Sequence, residues 1–296
     1  MSAPIELRGA VVAVTGGARG IGRAIAEAFA ARGATVCIGD LDGDAAAEAA
    51  REIGGGAQPF QLDVSDRDSF ASFLAAVEKA AGDLDVLVNN AGIAVLGSFL
   101  EESDKNSDAT IDVNLRGPMI GMRLALPGMV VRGRGHVVNV ASAAGKFRAP
   151  GLASYVASKH GVVGLTASIQ DELRGTGVTA TTVMPFVVKT ELASGVKIPF
   201  EFLAIGPEKV GAAVVASVEN RPREVFVPRW GHALNFLAML TPKWLESRFR
   251  RSIGDDRAIT GVDAAGRAAY TERLERQTAQ VVTDEDSAAR ADPARP

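Results

Sequence analysis

Residues 11–33 constrain the fold of this chain more than any other stretch. The short apolar run Val11-Val12-Ala13-Val14 leads directly into Thr15-Gly16-Gly17-Ala18-Arg19-Gly20-Ile21-Gly22, and an alanine-rich helical segment continues to Gly33. A buried strand, a glycine-rich turn and a helix in that order make a cradle for phosphate. Glycines let the backbone approach an anion, and a helix N-terminus offers unpaired amides and positive potential. The spacing is G-x-x-x-G-x-G, distinct from the commoner G-x-G-x-x-G turn.

The pattern continues along the chain. Strand-like runs near 11–14, 35–39, 58–62, 85–88, 136–140, 178–184 and 225–227 alternate with helical segments. Such alternation predicts an α/β fold: a doubly wound, Rossmann-type parallel sheet of about seven strands, with right-handed crossovers and helices on both faces. A chain of 296 residues that is 47% hydrophobic can bury one such core in a single domain.

A second constellation concerns chemistry. Tyr155 and Lys159 are one helical turn apart, so a helix places phenol and ammonium on the same face. A free tyrosine has a pKa of about 10 and is ionised in about one molecule per thousand near neutrality. A neighbouring lysine cation stabilises the phenolate, which predicts a lowered Tyr155 pKa and an acid/base suited to an alcohol or a carbonyl. Ser142 follows the apolar run His136-Val137-Val138-Asn139-Val140-Ala141. A hydroxyl at the carboxyl end of a strand opens onto the crevice where parallel sheets bind ligands.

Together with Asp63 in Leu62-Asp63-Val64, Asn89-Asn90-Ala91-Gly92 and Asn114, these motifs give the chain a resemblance. Between about residue 7 and about residue 228 it resembles the short-chain dehydrogenase/reductase family, in its compact rather than its extended branch. The resemblance implies an oxidoreductase that interconverts an alcohol and its ketone by hydride transfer with a nicotinamide dinucleotide, and the apolar loop at 190–206 makes a lipophilic secondary alcohol the expected substrate. Asn114, Ser142, Tyr155 and Lys159 would be catalytic: Tyr155 exchanges the proton, Ser142 binds the substrate oxygen, Lys159 acts on Tyr155 and the nicotinamide ribose, and Asn114 holds a water. It also implies nucleotide contacts from Gly16, Arg19, Gly20, Ile21 and Gly22 in the turn, then from Asp40 and Leu41. Asp63 and Val64 would lie at the adenine, and Asn90, Ala91 and Gly92 along the riboses. Pro185, Val188 and Thr190 would lie near the nicotinamide, with Tyr155 and Lys159. One departure stands out: Phe186 follows Pro185 where the family usually has glycine, so an aromatic ring is expected to wall the pocket.

Asp40 ends the second strand-like run, about 20 residues past the glycine turn. A carboxylate there accepts hydrogen bonds from the adenosine ribose of NAD and repels the 2′-phosphate of NADP. Arg19 argues the other way, since some NADP-dependent relatives carry a basic residue at its place. Leu41, where another such subgroup carries Arg or Lys, does not. NAD is therefore the expected cofactor, and an NADPH-dependent ketoreductase is the rival. A nucleotide-sensing module without chemistry is a more distant one. Asp42, in Asp42-Gly43-Asp44, is the natural cap of the next helix.

Several classes are disfavoured. A net charge of -3 does not suit nucleic acid. The single cysteine, Cys37, cannot form an intrachain disulfide and reads as strand packing. His136, His160 and His232 are too scattered for a metal site, so no metal is expected. No leader-like segment opens the chain and no apolar run is long enough to span a bilayer, so a cytoplasmic protein is expected.

The helix after Tyr155 is apolar on several faces, which predicts a homodimer or homotetramer built on it and on the segment near 102–132. The catalytic domain is expected over 1–228, a helical extension over 229–282 and a disordered tail over 283–296. In the extension, Trp230–Leu240 is apolar and Lys243–Arg251 mixes aromatic and basic residues. Packing over the substrate pocket or a neighbouring subunit is the expected role, and weak contact with a membrane surface the alternative. The loop at 190–206, with Leu192 and Phe200 among its apolar residues, is expected either to cover a lipophilic substrate or simply to pack.

Overall fold

The computed structural model describes residues 4–194, 204–242, 263 and 266–273. Its centre is one parallel sheet of seven strands: β1 (Val11–Thr15), β2 (Thr35–Asp40), β3 (Gln58–Gln61), β4 (Val86–Asn89), β5 (Gly135–Val140), β6 (Val178–Pro185) and β7 (Glu224–Val227). Their order is β3-β2-β1-β4-β5-β6-β7. All seven anticipated runs are strands of this sheet.

Helices cover both faces. On one side, Val12 and Val14 of β1 pack in a cluster with Ile25 and Phe29 of α1 (Gly20–Ala30) and Val210 and Val214 of α7 (Pro207–Asn220). On the other side, Val11 and Ala13 join Phe70 and Phe73 of α3 (Arg67–Ala81) and Met122 and Met129 of α5 (Gly117–Arg132). Neighbouring residues of one strand thus serve opposite faces, as the pleat requires. Both faces being covered, the central strands are buried and mostly apolar, with polar side chains such as Asn89, Asn139 and Thr182 enclosed among them.

Local chemistry explains several boundaries. Asp42 caps α2 (Gly43–Ile53), its side chain accepting from the Ala45 amide at 3.0 Å. Asp66 caps α3 by accepting from Asp68 and Ser69. The stretch near 102–132 is not one continuous helix. It is α4 (Asp104–Ile111), a π-helical turn over Asp112–Arg116, and α5.

The chain leaves β1 for one side of the sheet and β4 for the other, so a crevice opens between their carboxyl ends. Ligands of doubly wound sheets bind at such a switch point. Past β7, α8 (Gly231–Leu240) begins against the core but carries Phe236, Met239 and Leu240 on its exposed face. The segments Lys243–Arg251 and 283–296, and most of the apolar residues of the 190–206 loop, lie outside the described residues.

Candidate active site

A cavity of about 1610 Å³ lies along the carboxyl ends of the strands. A single ligand usually occupies about 300–1,000 Å³, so this one has room for a dinucleotide and a second molecule. Its lining runs from the glycine turn through Asp40, Asp63 and Asn90 to Ser142, Tyr155, Lys159 and Thr190. Every residue expected at the nucleotide lines it, including Arg19, Leu41, Val64, Ala91, Gly92, Pro185 and Val188. Of the four expected catalytic residues only Asn114 does not.

The glycine turn is shaped for close approach. Gly16 and Gly20 hold φ of +63° and +54°, a region that L side chains rarely adopt. A Cβ on Gly22 would stand 2.0 Å from the Gly16 carbonyl oxygen and 2.5 Å from the Asn90 amide nitrogen. Asn90 closes the turn from the other side, donating to the carbonyls of Thr15 at 3.0 Å and Gly16 at 3.1 Å. Thr15 Oγ1 in turn accepts from the amides of Asn90 and Ala91. These contacts keep the first amides of α1 facing the cavity, so the residues present fit a pyrophosphate. Gly22→Ala is expected to lower the melting temperature and weaken NADH binding at least tenfold, read by thermal denaturation and NADH fluorescence.

Asp40 lines the cavity at the end of β2 and is held there by backbone amides. Its two oxygens accept from the amides of Ala18 at 3.1 Å and Asp42 at 3.2 Å. Burial raises its pKa, opposed by those two bonds and by Arg19. Arg19 is turned onto Asp42 at 2.7 Å. Asp63 Oδ1 accepts from the amide and hydroxyl of Ser65, which braces the loop after β3.

The catalytic candidates converge from three elements. Ser142 follows β5, and Tyr155 and Lys159 stand on one face of α6 (Ala153–Glu172). Lys159 Nζ donates to the Val140 carbonyl at 3.1 Å and lies 5.7 Å from the centre of the Tyr155 ring. Lys159 is buried, and desolvation lowers its pKa to about 8. Tyr155 departs from the expected depression. Burial pushes it up to about 12, Ser142 opposes the rise by hydrogen bonding, and the nearby phenol of Tyr270 adds to it. Losing water costs the phenolate more than a desolvated ammonium beside the ring returns. Tyr155 is only half-buried, so solvent in the cavity moderates this rise.

Asn114 sits in the π-turn and is fully buried behind the cavity wall. Its amide brackets Ile93, accepting from the Ile93 nitrogen at 2.8 Å and donating to the Ile93 oxygen at 2.9 Å. The other amide hydrogen goes to the Ser158 hydroxyl at 3.1 Å. Only one lone pair of its carbonyl is left for a further partner. A Cβ on Gly92 would lie 3.1 Å from Asn114 Oδ1 and 3.4 Å from Lys159 Nζ, so both groups gather around that glycine.

Phe186 forms part of the cavity wall, as its replacement of glycine suggested, and needs no positive φ to do so. Its ring packs against Trp230 at 4.7 Å, Phe226 at 5.9 Å and Phe147 at 6.0 Å. Sequence reasoning missed Thr15 and Ser158, which position site residues, although Thr15 adjoins the glycine turn. It also missed Tyr270 and Arg273, which line the cavity from a helix over residues 266–273. Nothing in the local pattern of that segment marks it as part of a site.

Comparison with known proteins shows the family. Residues 10–198 match the short chain dehydrogenase family model. The chain belongs to the short-chain dehydrogenase/reductase family of oxidoreductases, whose members use nicotinamide dinucleotides. It is 36% identical over 191 residues to the 3-oxoacyl acyl-carrier-protein reductase FabG of Thermotoga maritima, covering 64% of this chain and 78% of that protein. It is 40% identical over 190 residues to D-threitol dehydrogenase of Mycolicibacterium smegmatis, covering 63% of this chain and 73% of that one. With the probable oxidoreductase EphD of Mycobacterium tuberculosis it shares 34% identity over 263 residues, 81% of this chain but only 44% of EphD. Among solved structures, a short-chain dehydrogenase/reductase from Burkholderia phymatum in complex with NAD superposes with a TM-score of 0.73. It is 27% identical, and the match covers 79% of this chain and 94% of that one.

Proposed function

We propose that the protein is an NAD-dependent oxidoreductase that interconverts a lipophilic secondary alcohol and its ketone. The observation that carries this is the joining of two parts in one cavity: the glycine turn with Asp40 at one end, Ser142, Tyr155 and Lys159 at the other. Gly16, Gly20, Gly22, Asp40, Asp63, Asn90 and Thr190 would hold the nucleotide, and its nicotinamide ring, when bound, supplies or accepts the hydride. Tyr155 takes the hydroxyl proton during oxidation and returns it during reduction. Ser142 donates to the substrate oxygen as charge develops there. Lys159, anchored on Val140, offers its remaining hydrogens to Tyr155 and the ribose. Asn114 holds Ile93 and Ser158 in place and keeps one lone pair for a water on the path from Lys159 to solvent. Phe147, Phe186 and Leu234 give the substrate end its apolar character.

The names of two relatives, a 3-oxoacyl reductase and a threitol dehydrogenase, support chemistry at a hydroxyl or carbonyl carbon. The first of these names a reduction, which suits the rival reading of an NADPH-dependent ketoreductase, to which Arg19 would contribute. Against it, one terminal nitrogen of Arg19 is paired with Asp42. The test is an activity screen over secondary alcohols and ketones of graded size, run with both nucleotides. NAD-linked turnover supports the proposal, a clear preference for NADPH replaces the cofactor assignment, and no turnover with either nucleotide overturns the reading.

The division into a catalytic part over 1–228 and an extension fits the end of the sheet at β7. A homodimer or homotetramer built on α6 and α5 would cover Val131, which is 88% exposed near the end of α5. Light scattering is expected to give at least a dimer across the micromolar range, and a monomer throughout would reject the assembly.

A further inference from the structure

The helix over residues 266–273 lies beyond the family match, yet it returns to the cavity and is fastened there. Arg267 is the fastening. It is 5% exposed, and its guanidinium donates to the carbonyls of Ala94 at 2.6 Å, Leu192 at 3.0 Å and Ser194 at 2.9 Å. Three carbonyl dipoles and the ring of Tyr270, 4.5 Å from its Cζ, stabilise the buried cation. Arg273 adds an ion pair to Glu191 at 2.5 Å and lies over the same ring at 5.5 Å. The helix thereby ties the loop after β4 to the loop after β6, the two that border the substrate end.

What this arrangement holds still is Tyr270. The residue is 8% exposed, it lines the cavity, and its hydroxyl oxygen accepts from the Ala94 amide at 3.0 Å. A phenol can accept one bond and donate another. Among the described residues no acceptor is seen for the Tyr270 hydrogen, and Tyr155 lines the same cavity. A phenol fastened in the cavity that Tyr155 also lines has a chemical use: a second donor, for a second oxygen.

We propose that Tyr270 is a substrate-binding residue that donates a hydrogen bond to a second oxygen of the substrate, so that the preferred substrates are diols or hydroxyketones. Arg267 is its positioning residue. The assignment rests on the oxidoreductase reading above and narrows its substrate class. A site built to pair a substrate oxygen discriminates strongly against the analogue lacking it, because the donor is then left unpaired.

The experiment uses the full chain and matched sets of alcohols: cyclohexanol against its 1,2-, 1,3- and 1,4-diols, and decahydronaphthol against its diols, each with NAD and NADP. Wild-type enzyme is expected to favour at least one diol by about tenfold or more in kcat/KM. In Tyr270→Phe that ratio is expected to fall by about tenfold, mainly through KM, with NADH fluorescence showing that the variant is folded. Arg267→Ala is expected to lose the preference too, and Arg267→Lys to restore part of it. The wild-type comparison stands alone if a variant does not fold. No diol preferred by wild type, or a preference intact in Tyr270→Phe, overturns the assignment while leaving the oxidoreductase reading in place. No turnover of any member with either nucleotide overturns that reading, and this assignment with it.

Discussion

Tyr155→Phe is expected to reduce turnover by about 10³-fold or more while NADH still binds within about twofold. General acid–base catalysis typically contributes about 10²–10⁴-fold, and here the phenol is the group positioned to exchange the substrate proton. The change removes one oxygen and leaves the ring, so α6 and the Lys159–Val140 bond should persist. Rapid-mixing kinetics for turnover and NADH fluorescence for binding separate the two effects. The pH profile has a sign as well. Oxidation needs the deprotonated phenol, and burial raises the Tyr155 pKa in the protein alone. Wild-type oxidation should therefore rise with pH and ketone reduction should fall. A phenylalanine variant with normal turnover would remove the tyrosine mechanism.

Asp40→Ala is expected to show the next largest effect. Loss of a charge-assisted hydrogen bond costs about 1.5–3 kcal/mol, which is about 10–150-fold in affinity for NAD. The same change relieves repulsion toward a 2′-phosphate and frees the amides of Ala18 and Asp42. It should therefore shift the NAD-to-NADP preference in the same direction, since only one of the two nucleotides loses a contact. Calorimetric titration of both nucleotides against both proteins gives four dissociation constants, and an unchanged ratio would show that Asp40 does not read the ribose.

Much of this was legible in the sequence because it depends on short-range patterns. The strand positions follow from β-branched runs such as Val137-Val138, and the phosphate turn from glycines whose spacing has a steric reason. Asp42 was recognisable as a cap from its neighbours alone. What was not legible depends on distance or on competition. The π-turn at Asp112–Arg116 has no local signal, because its purpose is to place Asn114 against Ile93 from another part of the chain. The direction of the Tyr155 shift depends on how burial weighs against Lys159, which spacing along a helix does not measure. Tyr270 reaches Ala94 across 176 positions of sequence, and no periodicity near it points there.

The π-turn has a consequence for the sequence changes this helix tolerates. Such a turn carries one residue more than the α-turn it replaces, so α4 and α5 are out of step by one residue, about 100° of rotation. Removing one residue between Asp112 and Arg116 would restore an unbroken hydrogen-bond ladder and swing α4 round relative to α5. Asn114 would leave Ile93 and Ser158, and Thr110, now fully buried, would turn outward. The most regular version of this helix would also be the one least able to hold the floor of the cavity. Length in this five-residue window is thus under tighter constraint than the identity of its exposed side chains.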